Sequence, residues 1–166
     1  MLIFAETEKR SHNTYIMQLT RAADYAVRVM IHLAGLPPGA RVSRTEMAAA
    51  AECPEQFLSK VLQSLTRAGL AISRRGNTGG FELPRTHRNA PVLEIVEAIE
   101  GPVRLNLCLT SGDACTRQSW CPAHAVWAEA QRVVVDVLRN TSVSDLARQA
   151  AASKPGGARI PPLKTP

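Results

Sequence analysis

Two adjacent helix signals constrain the fold of this chain more than any other part of the sequence. Ser43 and Glu46 have the spacing of a capping box, in which side chains and backbone at a helix start bond to each other. A break follows, and Pro54 then occupies the favoured first-turn position of a second helix. Two helices joined by so short a turn predict a helix-turn-helix, although other helical hairpins share the pattern. The second helix has an apolar stripe formed by Phe57, Leu58, Val61, Leu62 and Leu65.

A basic, glycine-rich hairpin is predicted directly after this unit. Strand candidates at residues 70–72 and 81–83 enclose the segment SRRGNTGG, which starts at Ser73. Glycines let a backbone lie close to a phosphate strand, and Arg74 and Arg75 would supply charge-assisted contacts. A plain solvated turn would use Asn and Gly equally well. The position after the second helix favours the wing of a winged helix.

Three of the four cysteines lie in one turn-rich stretch between two predicted helices. Cys108, Cys115 and Cys121 are spaced too irregularly for a helix face or a strand, and they suit a loop that places its thiols around a common centre. Clustered thiolates select soft centres such as iron–sulfur clusters or zinc. A disulfide or plain buried thiols are the alternatives. Cys53, at the helix turn, is expected to be a small buried residue.

Composition narrows the class of protein and of partner. The net charge of +6 and the pI of about 9.6 favour a polyanion such as nucleic acid. No apolar run reaches the roughly 20 residues that span a bilayer, and charged residues interrupt any signal-peptide core in residues 1–16. We therefore expect a cytoplasmic protein without a membrane partner, where clustered cysteines more often bind metal than form disulfides. No catalytic arrangement is indicated, so neither an enzyme nor a small-molecule substrate is expected.

The rest of the chain predicts further helices. Pro122 begins the longest helix, whose apolar residues cover neighbouring stripes and exceed what one small domain needs. A surface of this kind favours a partner helix in a homodimer. The predicted organisation is a disordered leader at 1–16, a winged helix-turn-helix DNA-binding domain at 17–101, a cysteine cluster-binding loop at 102–121, a dimerisation helix with a short C-terminal helix at 122–150, and a disordered tail at 151–166.

Three segments resemble the Rrf-two (Rrf2) family of bacterial winged-helix regulators. They are MQLTRAADYAVR from Met17, RGNTGGF from Arg75 and VLEIVEAIEG from Val92, within a resemblance that runs to about Ala147. The resemblance implies a mainly α fold with a small β-wing, a homodimer and a near-palindromic operator in double-stranded DNA. It also implies an iron–sulfur cluster, 4Fe–4S or 2Fe–2S, on the three clustered cysteines. The gap between the first two cysteines is one residue longer here than in IscR-like members.

The family resemblance offers two candidates for a fourth cluster ligand. IscR-like members use a histidine just after the third cysteine, and His124 occupies that position. NsrR-like members use an aspartate early in the first helix, donated by the partner subunit, and Asp24 occupies that position. An acidic residue in a first helical turn also interacts favourably with the helix dipole, and His124 could simply cover part of an interface. The sequence favours Asp24, with His124 as the alternative.

The family's recognition helix also indicates which residues would contact DNA. The second helix would enter the major groove, the wing would contact phosphates or the minor groove, and the start of the first helix would contact the DNA backbone. The residues expected there are Ser43, Arg44 and Thr45, then Gln56, Phe57, Ser59 and Lys60, and Arg74, Arg75 and Gly76 in the wing.

These expectations combine into one function. The sequence predicts a DNA-binding transcriptional regulator whose operator affinity is controlled by an iron–sulfur cluster that senses redox state, nitric oxide or iron–sulfur status. The alternative is a winged-helix regulator with a structural zinc, or a thiol/disulfide switch, at the same cysteines.

Overall fold

The computed structural model describes residues 19–76, 79–110 and 115–153, and these ranges contain six α-helices and a two-stranded antiparallel sheet. The predicted leader and all but the first residues of the predicted tail lie outside them. No helix within these ranges is long and apolar enough to cross a bilayer. The elements are α1 (Arg21–Gly35), α2 (Arg44–Ala50), α3 (Glu55–Arg67), β1 (Ile72–Arg74), β2 (Gly80–Glu82), α4 (Val92–Glu100), α5 (Pro122–Asn140) and α6 (Val143–Ala152).

Helix α1 forms the centre of the core. Thr20 caps its start, because the hydroxyl oxygen accepts hydrogen bonds from the N–H groups of Ala22 and Ala23 at 3.2 and 3.4 Å. Arg88 closes its end by donating to the carbonyl oxygens of Ala34 and Leu36, both at 2.9 Å. The helix packs against α3, α4 and α6. Its buried face comprises Ala23, Ala26, Val29, Met30, Leu33 and Ala34.

Helices α2 and α3 form the predicted helix-turn-helix. The Ser43 hydroxyl oxygen accepts from the Glu46 N–H at 3.2 Å, and the Glu46 carboxylate accepts from the Ser43 N–H at 2.9 Å, so the capping box is present. Glu52 takes a φ of 51° in the turn between the two helices. Phe57 of the predicted apolar stripe is 55% exposed and does not join the core. The buried stripe of α3 is Leu58, Val61, Leu62 and Leu65.

Strands β1 and β2 pair as a hairpin after α3, which is the position expected of a wing. They lie nearer the hairpin tip than the predicted strands at 70–72 and 81–83. Leu70 is fully buried, and its N–H donates to the Leu65 carbonyl oxygen at 2.9 Å. Residue 70 therefore closes α3 and enters the core, and the strand begins only after it.

The hairpin packs closely against the segment that precedes α2. Val42 and Phe81 exchange two backbone hydrogen bonds of 2.8 and 3.0 Å, so this segment lies beside β2 like a third strand. Gly80 has a φ of +147°, and a Cβ at this position would stand 2.7 Å from the Val42 carbonyl oxygen. Glycine is required at position 80 because backbone atoms occupy the space that a side chain would need.

The C-terminal helix α6 is part of the main core. The Val143 N–H donates to the Ala90 carbonyl oxygen at 3.0 Å, and the Val92 N–H donates to the Thr141 carbonyl oxygen at 2.9 Å. These two bonds fasten the junction of α5 and α6 to the start of α4. From there α6 packs along α1 with Val143 fully buried, and it runs to Ala152, two residues into the predicted tail.

Helix α5 packs one side against α4 and leaves its other side exposed. A second, smaller core lies between the two helices, where Val134 and Leu138 pack against Val92, Val96 and Val103. No residue of this 19-residue helix is fully buried within one chain. Its large exposed apolar side chains are Val126, Trp127 and Val133.

The close approach at Gly80 generates a stability prediction with a matched control. We expect Gly80→Ala to lower the free energy of unfolding by about 1–3 kcal/mol, because the new methyl group meets backbone and the φ is unfavourable for alanine. Gly35→Ala should be neutral or stabilising, because position 35 ends α1 and has open space around it. Urea unfolding of both variants tests this, and equal midpoints would contradict it.

Candidate nucleic-acid interface and cysteine site

A groove lies between α3 and the hairpin. Two adjoining hollows share four lining residues, Arg44, Ser73, Arg75 and Phe81. One hollow extends along the hairpin, and the other extends along α3. Of the residues expected at DNA, the structure therefore brings together Ser43, Arg44, Ser59, Arg74, Arg75 and Gly76.

The remaining expected residues lie beside this groove rather than in it. Thr45 of α2 is exposed, and so are Gln56, Phe57 and Lys60 of α3. The opposite face of α3 is buried in the core. Its exposed face therefore points away from the core and presents polar side chains and one aromatic ring to solvent. An exposed helix face of this kind is what a recognition helix presents to a major groove.

Sequence reasoning missed several residues of this groove. Gln63 and Arg67 follow Ser59 on α3 at intervals of four, and all three line the same hollow. The helical period places such residues on one face, so the signal was present in the sequence. Ser73 of β1 also lines both hollows, and only the folded hairpin brings it next to α3.

The cationic side chains of the groove differ in their partners. Arg44 lies 3.7 Å from the Glu55 carboxylate, and Arg74 lies 3.3 Å from that of Glu82. Arg75 has no carboxylate partner within the part of the chain that the structure describes, and it is exposed. Arg44 and Glu55 form an exposed pair, which contributes little to stability, so Arg44 can exchange this carboxylate for a phosphate at small cost.

The cysteine loop is anchored at both ends. Cys108 is buried in a short 3-10 turn over Leu107–Leu109, whose start is capped by the Asn106 side chain at 2.8 Å. Just before it, the Leu105 N–H donates to the Gln131 side-chain oxygen of α5 at 3.1 Å. At the other end, Cys121 is the residue before the first turn of α5.

Cys115 and His124 meet in one hollow. Both line it together with Thr116, Gln118 and Ser119. The Nδ1 atom of His124 is buried and has no hydrogen-bond partner among the described residues. A buried ring nitrogen without a partner is costly, and it is suited to bind a metal. A donor set of thiolates and an imidazole fits an iron–sulfur cluster, so these residues are compatible with the group that the sequence predicted.

The described residues do not gather all the predicted ligands. No three His, Cys, Asp or Glu side chains within them lie close enough to bind one metal ion. Asp24 is exposed on α1, where its carboxylate lies 3.0 Å from Arg28, four residues further along the same helix face. Residues 111–114, between the first two loop cysteines, lie outside the described ranges. All four cysteines are free thiols.

Cys53 is separate from this site. Its thiol is buried in the main core, and burial raises its pKa, which keeps the thiol protonated and unreactive. The expectation of a small buried residue at position 53 is confirmed.

The fold and the groove define a class of protein. A helix-turn-helix followed by a β-hairpin, with an exposed helix face and basic residues between them, is a winged helix. The model of the Rrf2 family, described as an iron-dependent transcriptional regulator, matches residues 19–149. The chain belongs to the Rrf2 family of transcriptional regulators, and the predicted winged-helix fold and non-enzymatic role are confirmed.

Individual relatives agree with this assignment. Protein aau3 of Rhizobium meliloti is 34% identical over 80% of this chain and 86% of its own length. An HTH-type transcriptional regulator of Mycobacterium tuberculosis is 31% identical over 79% of this chain and 81% of its own. Among solved structures, the oxidized form of Staphylococcus aureus CymR has a TM-score of 0.62 at 26% identity, covering 79% of this chain and 96% of that one. IscR of T. potens has a TM-score of 0.62 at 26% identity, covering 81% and 88%.

The position of the two wing arginines generates a prediction about DNA. We expect replacement of both Arg74 and Arg75 by alanine to weaken DNA binding, and to reduce the slope of log affinity against log salt by about one to two. Arg139→Ala is the control, because Arg139 pairs with Asp136 on α5 and does not line the groove. Binding isotherms at several salt concentrations test this. An unchanged salt slope in the double variant would show that the wing arginines do not contact DNA.

Proposed function

We propose that this chain is a homodimeric regulator that binds a near-palindromic operator, and that an iron–sulfur cluster on the cysteine loop controls its affinity. The observation that carries the cluster part of the proposal is the buried, unpartnered Nδ1 of His124 in the hollow that Cys115 also lines. The DNA part rests on family membership together with the groove between α3 and the wing.

The exposed face of α3 would enter the major groove. Gln56 and Lys60 would reach base edges, since both are exposed and lie one helical turn apart. Arg75 would contact phosphate, because it is exposed without a carboxylate partner among the described residues. The Ser43 hydroxyl oxygen accepts the bond of the capping box, which leaves its O–H free to donate to a phosphate at the same end of the groove as Arg44.

A second copy of the chain would cover the exposed apolar side of α5. Val126, Trp127 and Val133 lie on a helix that buries no residue within one chain. Pairing two such helices would remove this surface from water and would fix the separation of the two α3 helices. Symmetric half-sites require that separation to be about 34 Å, one turn of DNA.

The cluster ligands would be Cys108, Cys115, Cys121 and one further residue. When bound, an iron–sulfur cluster would supply a soft centre sensitive to redox state, oxygen and nitric oxide. Because Leu105 is bonded to α5 and Cys121 immediately precedes that helix, closing the loop around such a group would pull on α5 at both points.

A change in the loop would be transmitted through α5. Gln131 of α5 accepts a hydrogen bond from the loop backbone, so the loop and the helix are in direct contact. At its other end, α5 leads into Thr141, which is bonded to Val92 at the start of α4. Helix α4 packs against both α1 and α3. The loop is thus connected to the recognition helix by a continuous series of packed elements.

A thiol switch at the same cysteines is the second candidate. Cys115 and Cys121 are both partly exposed free thiols, which is the environment in which thiols oxidise. The similarity to CymR, whose structure is known in an oxidized form, favours this candidate. A structural zinc would use the same residues but would give a colourless protein that contains zinc in place of iron and sulfide.

Cysteine variants distinguish these possibilities. We expect anaerobically purified protein to be coloured and to contain iron and sulfide, and Cys108→Ala, Cys115→Ala and Cys121→Ala each to abolish both, because each removes one thiolate ligand. Cys53→Ala is the matched control and should retain the colour, since Cys53 is buried in the main core. Absorbance spectra with iron and sulfide analysis test this. Iron and sulfide contents in the Cys115→Ala protein equal to those of wild type would contradict the assignment of the cluster to these cysteines. Colourless wild-type protein that forms a disulfide with oxidant would favour the thiol switch.

The fourth ligand is a separate question. The sequence favoured Asp24 of a partner subunit, whereas the arrangement within one chain favours His124, whose Nδ1 has no partner among the described residues and whose side chain lines the same hollow as Cys115. Asp24 would first have to leave Arg28, which costs little on an exposed surface.

Two alanine variants compared side by side decide between these residues. We expect His124→Ala to change the visible spectrum of the cluster more than Asp24→Ala does, because losing a ligand changes the electronic environment of the iron directly. Arg28→Ala controls for disruption of the α1 ion pair. A changed spectrum in Asp24→Ala with an unchanged one in His124→Ala would establish the ligand from the partner subunit.

A further inference from the structure

The wing contains one acidic side chain that contacts two arginines. One carboxylate oxygen of Glu82 accepts from Nε of Arg41 at 3.0 Å. The other accepts from Nη2 and Nε of Arg74, at 3.3 and 3.4 Å. The Glu82 side chain is only 12% exposed, whereas those of Arg41 and Arg74 are 42% and 54% exposed. A mostly buried carboxylate therefore lies beneath two guanidinium groups that reach the surface.

The register of the strands produces this arrangement. Val42 lies opposite Phe81, so Arg41 stands opposite Glu82 on one side of β2. On the other side Ile72 lies opposite Glu82, and Arg74 is diagonal to it, two residues further along β1 on the same face. The contact thus joins both strands of the hairpin to the segment before α2, and it depends on the close packing that Gly80 permits.

The Glu82 carboxyl group is ionised at neutral pH. The hydrogen bonds from Arg41, and then from Arg74, lower the pKa of Glu82 below its ordinary value against the opposing effect of burial. The carboxylate is therefore ionised, and the three side chains carry a net charge of +1. Arg74 uses Nε and Nη2 in this contact, and its Nη1 takes no part in it.

We propose that Glu82 is a positioning residue for operator binding. It fixes the Arg74 guanidinium in one orientation at the surface of the wing, while the adjacent Arg75 supplies charge without a fixed direction. A pre-oriented arginine loses less side-chain entropy when it contacts DNA, which offsets the repulsion between the carboxylate and phosphate. This inference rests on the proposed DNA-binding function of the groove, and it identifies Glu82 as the residue that orients Arg74 there.

The proposal predicts that removing the Glu82 charge weakens operator binding, whereas charge alone would strengthen it. Glu82→Gln adds one positive charge, which by electrostatics alone would strengthen DNA binding and steepen its salt slope by about one. We expect instead that operator affinity falls by about tenfold, the loss of one well-placed arginine contact. Affinity for an unrelated duplex should be unchanged or higher. Glu55→Gln is the matched control for the change in charge, since Glu55 pairs with one arginine of the groove, Arg44, at 3.7 Å.

The experiment measures binding of the full-length chain to an operator selected from a randomised duplex pool, at several salt concentrations. The effect of Glu82→Gln should be largely absent in an Arg74→Ala background, because Glu82 acts through Arg74. A role in hairpin stability alone would leave the two effects additive. Operator binding by Glu82→Gln as tight as wild type or tighter would overturn the proposal.

A second variant covers the case in which Glu82→Gln fails to fold by circular dichroism. Arg74→Lys keeps the charge but cannot reproduce the planar contact with Glu82, and it should lose operator affinity while retaining affinity for unrelated DNA. Wild-type operator affinity in Arg74→Lys would overturn the inference and leave the proposed function intact. If wild type and Glu55→Gln both select no duplex from the pool, the proposed function fails and the inference fails with it.

Discussion

Burial of α1 is the constraint on which the rest of the structure depends. Ala26, Val29 and Met30 are completely inaccessible, because α3, α4 and α6 pack around this helix. A charge on this face would separate three elements at once, since close-packed interiors do not adjust by small movements. Helix α3 is thus positioned by its own buried stripe against α1, and its outer face remains exposed.

The same packing explains how two distant parts of the chain are connected. The cysteine loop makes its anchoring contact with α5 through Gln131, and α5 is joined to α4 by packing and by the bond between Val92 and Thr141. Helix α6 then returns to α1 with Val143 buried in the main core. The C-terminal helix and the DNA-binding unit therefore share one core, and a displacement of α5 cannot leave that core unaffected.

The sequence predicted the local elements well and the distant contacts poorly. The capping box at Ser43 and Glu46 follows a rule that operates within a few residues, so it could be predicted from the sequence. The strand limits were misplaced because Leu70 bonds back to Leu65 in the folded chain. Spacing identified the cysteines as a group, but it could not show that Cys115 shares a hollow with His124, because that depends on how the loop turns before α5.

Charge on the wing shows why composition alone is a poor guide to an interface. Counting basic residues treats Arg74 and Arg75 as equivalent neighbours, yet one is bonded to a mostly buried carboxylate and the other has none among the described residues. Glu82 lowers the positive charge of the surface, which disfavours DNA at long range. At contact distance the direction of a guanidinium decides which phosphate or base it meets, and direction comes from a fixed partner. Under this proposal Glu82 and Arg74 act as one unit: Glu82 weakens the attraction of the wing for DNA, and in return it fixes the direction of the Arg74 guanidinium.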